Sequence, residues 1–188
     1  MVESTPPAVK ISARRRIYPR LQFLATHVLQ GQPLWDLCCD HGILGAEALA
    51  ANRVPYVYFV DSSPLIRLKL QRVPESETFH QRWSFSIADA RDLAPQFCGT
   101  IAIAGIGGLL MTSILQTIAE RSRLAQIKRL ILNPFCDEDV VLEFVKNQWF
   151  SPEPKNQDTC ELASRVEEFQ FFERGRTRRI FCIDFNGI

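Results

Sequence analysis

Apolar positions along the chain switch repeatedly between helical and strand spacing, and the switching predicts an alternating architecture. Leu21, Leu24 and Val28 recur three or four residues apart within SARRRIYPRLQFLATHVL. This predicts a first helix from Ser12, its regular part beginning near Pro19. PLWDL (33–37) then reads as a short strand, and GILGAEALAANR as an alanine-rich helix from Gly42. PYVYFVD (55–61) is β-branched and aromatic, a second strand ending at Asp61. SPLIRLKLQRV follows with a serine cap and Pro64 in the first turn, a helix start. WSFSIADA (83–90) predicts a third strand, and TIAIAG (100–105) a fourth, continuously apolar and so buried on both faces. GGLLMTSILQTIAE predicts a helix, RLILNP a fifth strand, and DEDVVLEFVKNQWF a helix with acids in its first turn. ELASRVEEFQFFER and TRRIFCIDF, separated by Gly175, close the chain as an antiparallel hairpin.

Five strands alternating with helices predict an α/β fold. The expected form is a Rossmann-like, doubly wound, mostly parallel sheet carrying an antiparallel C-terminal hairpin. At 188 residues the chain suits one domain, expected over residues 12–188, after a disordered N-terminus at residues 1–11. The composition, 46% apolar and 23% charged, is that of a soluble globular protein. A net charge of +1 sets up no global field toward nucleic acid or membrane, although local clusters still can. MVESTPPAVK lacks the basic start and apolar core of a secretory signal. The apolar run IAIAGIGGLLM is far shorter than the ~18 residues of a membrane span. A cytoplasmic protein with no membrane partner is expected.

Ligands of doubly wound sheets bind beyond the carboxyl ends of the strands, so the residues at those ends carry the candidate chemistry. The first strand is followed by Asp36, Cys38, Asp40, His41 and Gly42, the second by Asp61, and the third by Asp89 and Ala90. Gly105, Gly107 and Gly108 follow the fourth, and Asn133, Pro134 and Phe135 the fifth. Acids ending three successive strands suit a ligand with hydroxyls, an amine and an adenine. Asp61 can accept both hydroxyls of a ribose, and Asp89 can sit at the adenine amine. Amides of the first loop can face a carboxylate. S-adenosyl-L-methionine presents that set of groups. NAD fits less well, because CCDHGILG carries acids where a pyrophosphate would be repelled. Each acid alone could be a solvated loop residue, and the three glycines could simply allow close strand-to-helix packing.

The six cysteines, at 38, 39, 98, 136, 160 and 182, form no Cys-x-x-Cys pair. Without a second His or Cys cluster no metal is expected, and most read as small core residues in a reducing compartment. Cys38 and Cys39 as a vicinal disulfide or reactive pair is the less favoured alternative.

RLQFLATHV, LWDLCCDHGILG, AIAGIGGLLMTSIL and RLILNPF, taken together, resemble the bacterial tRNA adenine-22 N1-methyltransferases, a class I S-adenosylmethionine-dependent family. Its pattern runs R-L…D-I-G-S-D-H-A-Y-L-P…I-A-G-M-G-G…L-I-L-Q-P-N. Arg20, Leu21, Asp36, Asp40, His41, Gly105, Gly107 and Gly108 match it, over a resemblance spanning about residues 17–150. Cys38 stands where the loop has its first glycine, Gly42 replaces alanine, and Asn-Pro-Phe replaces Gln-Pro-Asn. Family members continue into a helical, coiled-coil domain, whereas this sequence ends after the hairpin. NPF also has a weaker similarity to the D/N-P-P-Y/F motif of adenine amino-methyltransferases. That motif follows strand four, so Phe135 is open to packing or to base stacking.

The resemblance implies S-adenosylmethionine as cofactor and in-line methyl transfer to adenine N1 in tRNA or another structured RNA. It implies Asp36, Cys38, Gly42, Asp61, Asp89, Ala90 and Gly105 around the cofactor. Asp40 and His41 are the implied catalytic pair, Asp40 either stabilising the cationic product or holding the methionine amine. Gly107, Gly108, Asn133 and Phe135 are expected to face substrate. Two basic clusters are available to RNA phosphates. Lys10, Arg14, Arg15, Arg16 and Arg20 form the first, and Arg174, Arg176, Arg178 and Arg179 the second. Either could instead be a solvated face. Other acceptors (rRNA, protein, a small molecule) and a non-catalytic Rossmann-like RNA-binding domain are the alternatives.

Overall fold

The computed structural model describes residues 18–71, 81–93, 97–121, 126–150 and 163–185. Lys10 and Arg14–Arg16, and the predicted disorder of residues 1–11, lie outside the described residues. The elements follow in the expected order: α1 (Pro19–His27), β1 (Leu34–Leu37), α2 (Ile43–Ala50), β2 (Val57–Asp61), α3 (Leu65–Gln71) and β3 (Trp83–Ile87). Then come β4 (Gly99–Ala104), α4 (Gly108–Arg121), β5 (Ile127–Asn133), α5 (Glu138–Trp149), β6 (Ala163–Glu173) and β7 (Arg176–Phe185).

They build one seven-stranded sheet in the order β3-β2-β1-β4-β5-β7-β6. The first five strands are parallel. β7 inserts antiparallel between β5 and β6. The third strand stops at Ile87, short of the predicted Ala90, because it is the exposed sheet edge and Asp89 already closes a turn onto Arg91. Among the described residues no helix joins β3 to β4.

Strand periodicity divides the core into two layers. Ile101, Ile103, Leu130, Leu132, Phe181 and Ile183 bury against Met111, Ile114 and Ile118 of α4 and Val141, Val145 and Trp149 of α5. Their neighbours Ala102, Ile131, Ile180 and Cys182 face the other way, with Leu24 of α1, Leu44 and Leu49 of α2, and Ile66 and Leu70 of α3. Helices on both faces leave the carboxyl edge of the parallel strands open, where β1 turns back toward α2 and β4 toward α4.

The hairpin reaches past that edge. β5 pairs with β7 only as far as Leu132 opposite Phe181, while β6 and β7 continue pairing to Glu173 opposite Arg176. At about 3.3 Å per residue, the tip overhangs the end of β5 by roughly 15 Å. Phe23 and His27 of α1 hold it from one side, their rings 5.5 Å and 4.5 Å from those of Phe171 and Phe169.

Candidate active site

The loop from β1 to α2 turns by alternate left-handed residues. Cys38, Asp40 and Gly42 have φ of 56°, 45° and 65°. Non-glycine residues rarely adopt this conformation, and each costs about 1–2 kcal/mol. Cys38 thus occupies a glycine-type position while carrying a side chain. Gly42 has no such latitude: a Cβ there would lie 2.0 Å from Leu70 Cδ2. Its role is to let the loop sit on the core under α3. It does not line the cavity.

That loop forms one wall of a cavity of about 720 Å3 at the carboxyl edge of the sheet, within the roughly 300–1,000 Å3 usual for small-molecule sites. Asp36, Cys38, Asp40, His41, Asp61, Asp89 and Ala90 all line it. Asp36 is buried, and one carboxylate oxygen accepts the Gly45 N–H at 3.1 Å. Burial pushes its carboxyl up to about 7, with the Asp61 charge adding to the effect and the Gly45 bond opposing it. Asp61 accepts the backbone N–H groups of Asp40 (3.1 Å) and Ser63 (2.9 Å), tying the first loop to the second. Asp89 is bound by the Arg91 guanidinium and backbone N–H, and these bonds hold it down at about 2. The Asp40 carboxylate meets His41 Nδ1 at 2.6 Å, both side chains reaching solvent at the cavity wall.

Cys38 and Cys39 both line the cavity, Cys39 as a buried residue. Burial, then the neighbouring acids, pushes the Cys38 thiol up to about 12, and burial raises Cys39 as well. A thiol held protonated in this way is a poor nucleophile at neutral pH. The described cysteines are all free, and among the described residues no group of three or more His, Cys, Asp or Glu is placed to hold a metal ion.

The opposite wall comes from β4, β5 and the hairpin. Gly105, with φ of 80°, lines the cavity and donates its N–H to the Asn133 carbonyl at 2.9 Å. Gly107 and Gly108 do not reach the cavity. Gly107 bridges to Cys136, and a Cβ on Gly108 would meet the Asp137 carbonyl at 2.6 Å, so these glycines let α4 start against the β5–α5 loop. Asn133 is buried, its side-chain Oδ1 accepting from Arg20 and its Nδ2 donating to the Arg179 carbonyl at 2.9 Å. Arg20 also pairs with Glu173 at 3.1 Å. Arg20, expected at RNA, and Asn133, expected at substrate, both line the cavity, and their side chains also form a latch that ties α1, β5 and the hairpin together. Glu173 completes it and carries no signal in the sequence pattern. Phe135 is exposed at the cavity wall, with the Arg178 guanidinium 4.5 Å from its ring centre. It is therefore not a packing residue.

The cavity is thus divided. Asp36, Asp40, Asp61 and Asp89 line the β1–β2–β3 side, where Arg91 is paired with Asp89, and Phe135 with Arg174 and Arg178 lines the β5–hairpin side, where Glu173 is paired with Arg20. Residues 17–154 match a family profile described as a methyltransferase domain. The chain belongs to the methyltransferase-domain family. Several solved structures share the fold of this methyltransferase domain. Sp1610 of Streptococcus pneumoniae, a candidate tRNA (m1A22) methyltransferase solved with S-adenosyl-L-methionine, is 21% identical with a TM-score of 0.71. That match covers 92% of this chain and 74% of that one. The Bacillus subtilis m1A22 tRNA methyltransferase TrmK is 20% identical with a TM-score of 0.74, covering 91% of this chain and 67% of that one. M. capricolum TrmK, solved with S-adenosyl-homocysteine, is 14% identical with a TM-score of 0.67, covering 92% and 70%. A search of curated proteins returned no match.

Proposed function

We propose that this protein is an S-adenosylmethionine-dependent RNA methyltransferase acting on N1 of an unpaired adenine, with tRNA as substrate. The observation that carries the reading is the division of the cavity. The acid-lined half suits a ligand bearing an ammonium, two ribose hydroxyls and an adenine amine, and the aromatic and basic half suits a nucleotide. The likeness to tRNA (m1A22) methyltransferases supports the choice of acceptor.

The donor set fits the cofactor. Asp61 retains acceptor capacity for ribose hydroxyls beyond its two loop bonds, Asp89 stays ionised at the adenine end, and Ala90 is buried beside it. Asp36 faces the cavity with a single strong backbone donor, so an arriving ammonium would favour its ionised form. Bound S-adenosylmethionine supplies an electrophilic methyl group on a sulfonium. The adenine N1 lone pair is already nucleophilic, so the protein's contribution is to position the base and exclude water. Phe135 offers a ring face on which the base can stack. Asp40, oriented by His41, places negative charge where the methylated base becomes cationic. N1 lies on the Watson–Crick edge, so the target must be unpaired or flipped out. Action on tRNA is consistent with a cytoplasmic enzyme.

The test is methyl transfer from tritiated S-adenosylmethionine to unmodified tRNA transcripts, followed by nucleoside analysis. Label in 1-methyladenosine is expected, with turnover falling at least tenfold in Asp40→Ala while cofactor binding persists. Label on protein or small molecules alone would refute the RNA reading, and full turnover in Asp40→Ala would remove that residue's role.

A further inference from the structure

The overhanging tip of the β6–β7 hairpin combines features that the rest of the cavity lacks. Arg174 and Arg178 line the cavity from the hairpin side. Arg174 has φ of 51° in the tight turn with Gly175, which turns the chain sharply at the tip. Arg178 lies over the Phe135 ring and also donates to the Phe135 carbonyl at 2.9 Å, so it fixes the aromatic wall directly. Phe172, 73% exposed, stands beside them on the same tip.

Charge at the tip is also unevenly balanced. Glu173 is taken by Arg20, while Arg179 is held by Glu168 and Asp139. Outside the backbone ladder, the side chains of Arg174 and Arg176 make no hydrogen bond or ion pair with a described residue, although Asp137, Glu138 and Asp139 line the neighbouring groove with Arg176 and Arg178. The second basic cluster is therefore two devices. Arg179 is structural. Arg174 and Arg176 are unneutralised cations on a projecting ribbon, held rigid by its β ladder and by α1.

We propose that this tip is the RNA-backbone clamp of the enzyme: Arg174 and Arg176 hold phosphates flanking the target nucleotide, and Arg178 keeps Phe135 facing the base. The inference rests on the RNA-methyltransferase reading above and deepens it. The geometry suits the chemistry, since a base entering the cavity carries its two phosphates to the rim, where the tip lies. The acid-lined wall repels a phosphate and so directs the backbone toward the hairpin.

The test is the charge-reversed double variant R174E/R176E of the full chain, compared with R165E. Arg165 is an exposed β6 residue paired with Glu167 near the opposite end of the hairpin. Fluorescence anisotropy with a tRNA transcript across a salt series should show Kd raised at least tenfold in the double variant. Its slope of log affinity against log salt should be shallower by roughly 1.5, as for two lost phosphate contacts. S-adenosylmethionine affinity and thermal midpoint should match the wild type, and R165E should bind RNA normally. Wild-type affinity and slope in the double variant, or an equal loss in R165E, would overturn the clamp. If the wild type methylates RNA while the double variant is unaffected, only the clamp fails. If the wild type neither binds nor methylates RNA, both readings fail.

Discussion

Asp36 gives the sharpest quantitative expectation. Its carboxyl moves from 3.8 to about 7 on folding, chiefly because it is buried. A raised carboxylate pKa means that the folded state keeps a proton which the unfolded chain has lost. Asp36 therefore costs no stability below about pH 4, and its destabilising effect grows as pH rises toward 7. The full shift is about 3 units, which corresponds to about 4 kcal/mol above pH 7. Asp36→Asn removes the titration while its amide oxygen still accepts the Gly45 N–H. Between pH 5 and pH 8 the cofactor-free wild type should lose about 3 kcal/mol relative to Asp36→Asn. Urea unfolding of both proteins at the two pH values measures this, and any constant offset between side chains cancels in the difference. A gap that does not change with pH would show that Asp36 is not a buried, proton-holding carboxyl. The same titration couples to the ligand, since a group that must ionise to receive an ammonium makes cofactor affinity fall below pH 7.

Three further expectations concern the frame of the site. Gly42→Ala should destabilise the protein by about 2–4 kcal/mol, combining a strained left-handed residue with the clash on Leu70, and a wild-type denaturation midpoint would contradict this. Arg20→Ala strands the buried Asn133 side-chain Oδ1 and should cost about 1–3 kcal/mol, whereas an unchanged urea midpoint would dissolve the latch. At pH 8 iodoacetamide should label the exposed Cys136 before Cys38 or Cys39, and mass mapping that found Cys38 first would mean its thiol is not raised.

The frame of this protein was readable from short-range pattern, because strand alternation and strand-end acids are local properties. Ile101, Ile103 and Ala102 announce a strand buried on both faces, and they face α4 and α2 layers respectively. Asp36, Asp61 and Asp89 converge because parallel strands all end at one edge. Cys38 at a glycine position was visible as a departure, but its left-handed backbone needed the structure. The features that sequence could not reveal join distant segments. Arg20 meets Asn133 across 113 residues and Glu173 across 153, and no spacing rule reports such a pairing. Likewise, a hairpin was legible, yet its reach beyond β5 depends on register with a strand about fifty residues earlier. Gly107 and Gly108 were ambiguous for the opposite reason, since close packing and ligand approach demand the same residue.

On the reading proposed above, the acid-lined half of the cavity holds S-adenosylmethionine. Isothermal titration of the wild type and of Asp61→Ala with this cofactor puts that to the test. One saturable site is expected in the wild type, with affinity at least tenfold weaker once the Asp61 carboxylate is removed. Absence of binding to the folded wild type, or equal affinity in both proteins, would rule out the acid-lined half as the cofactor site.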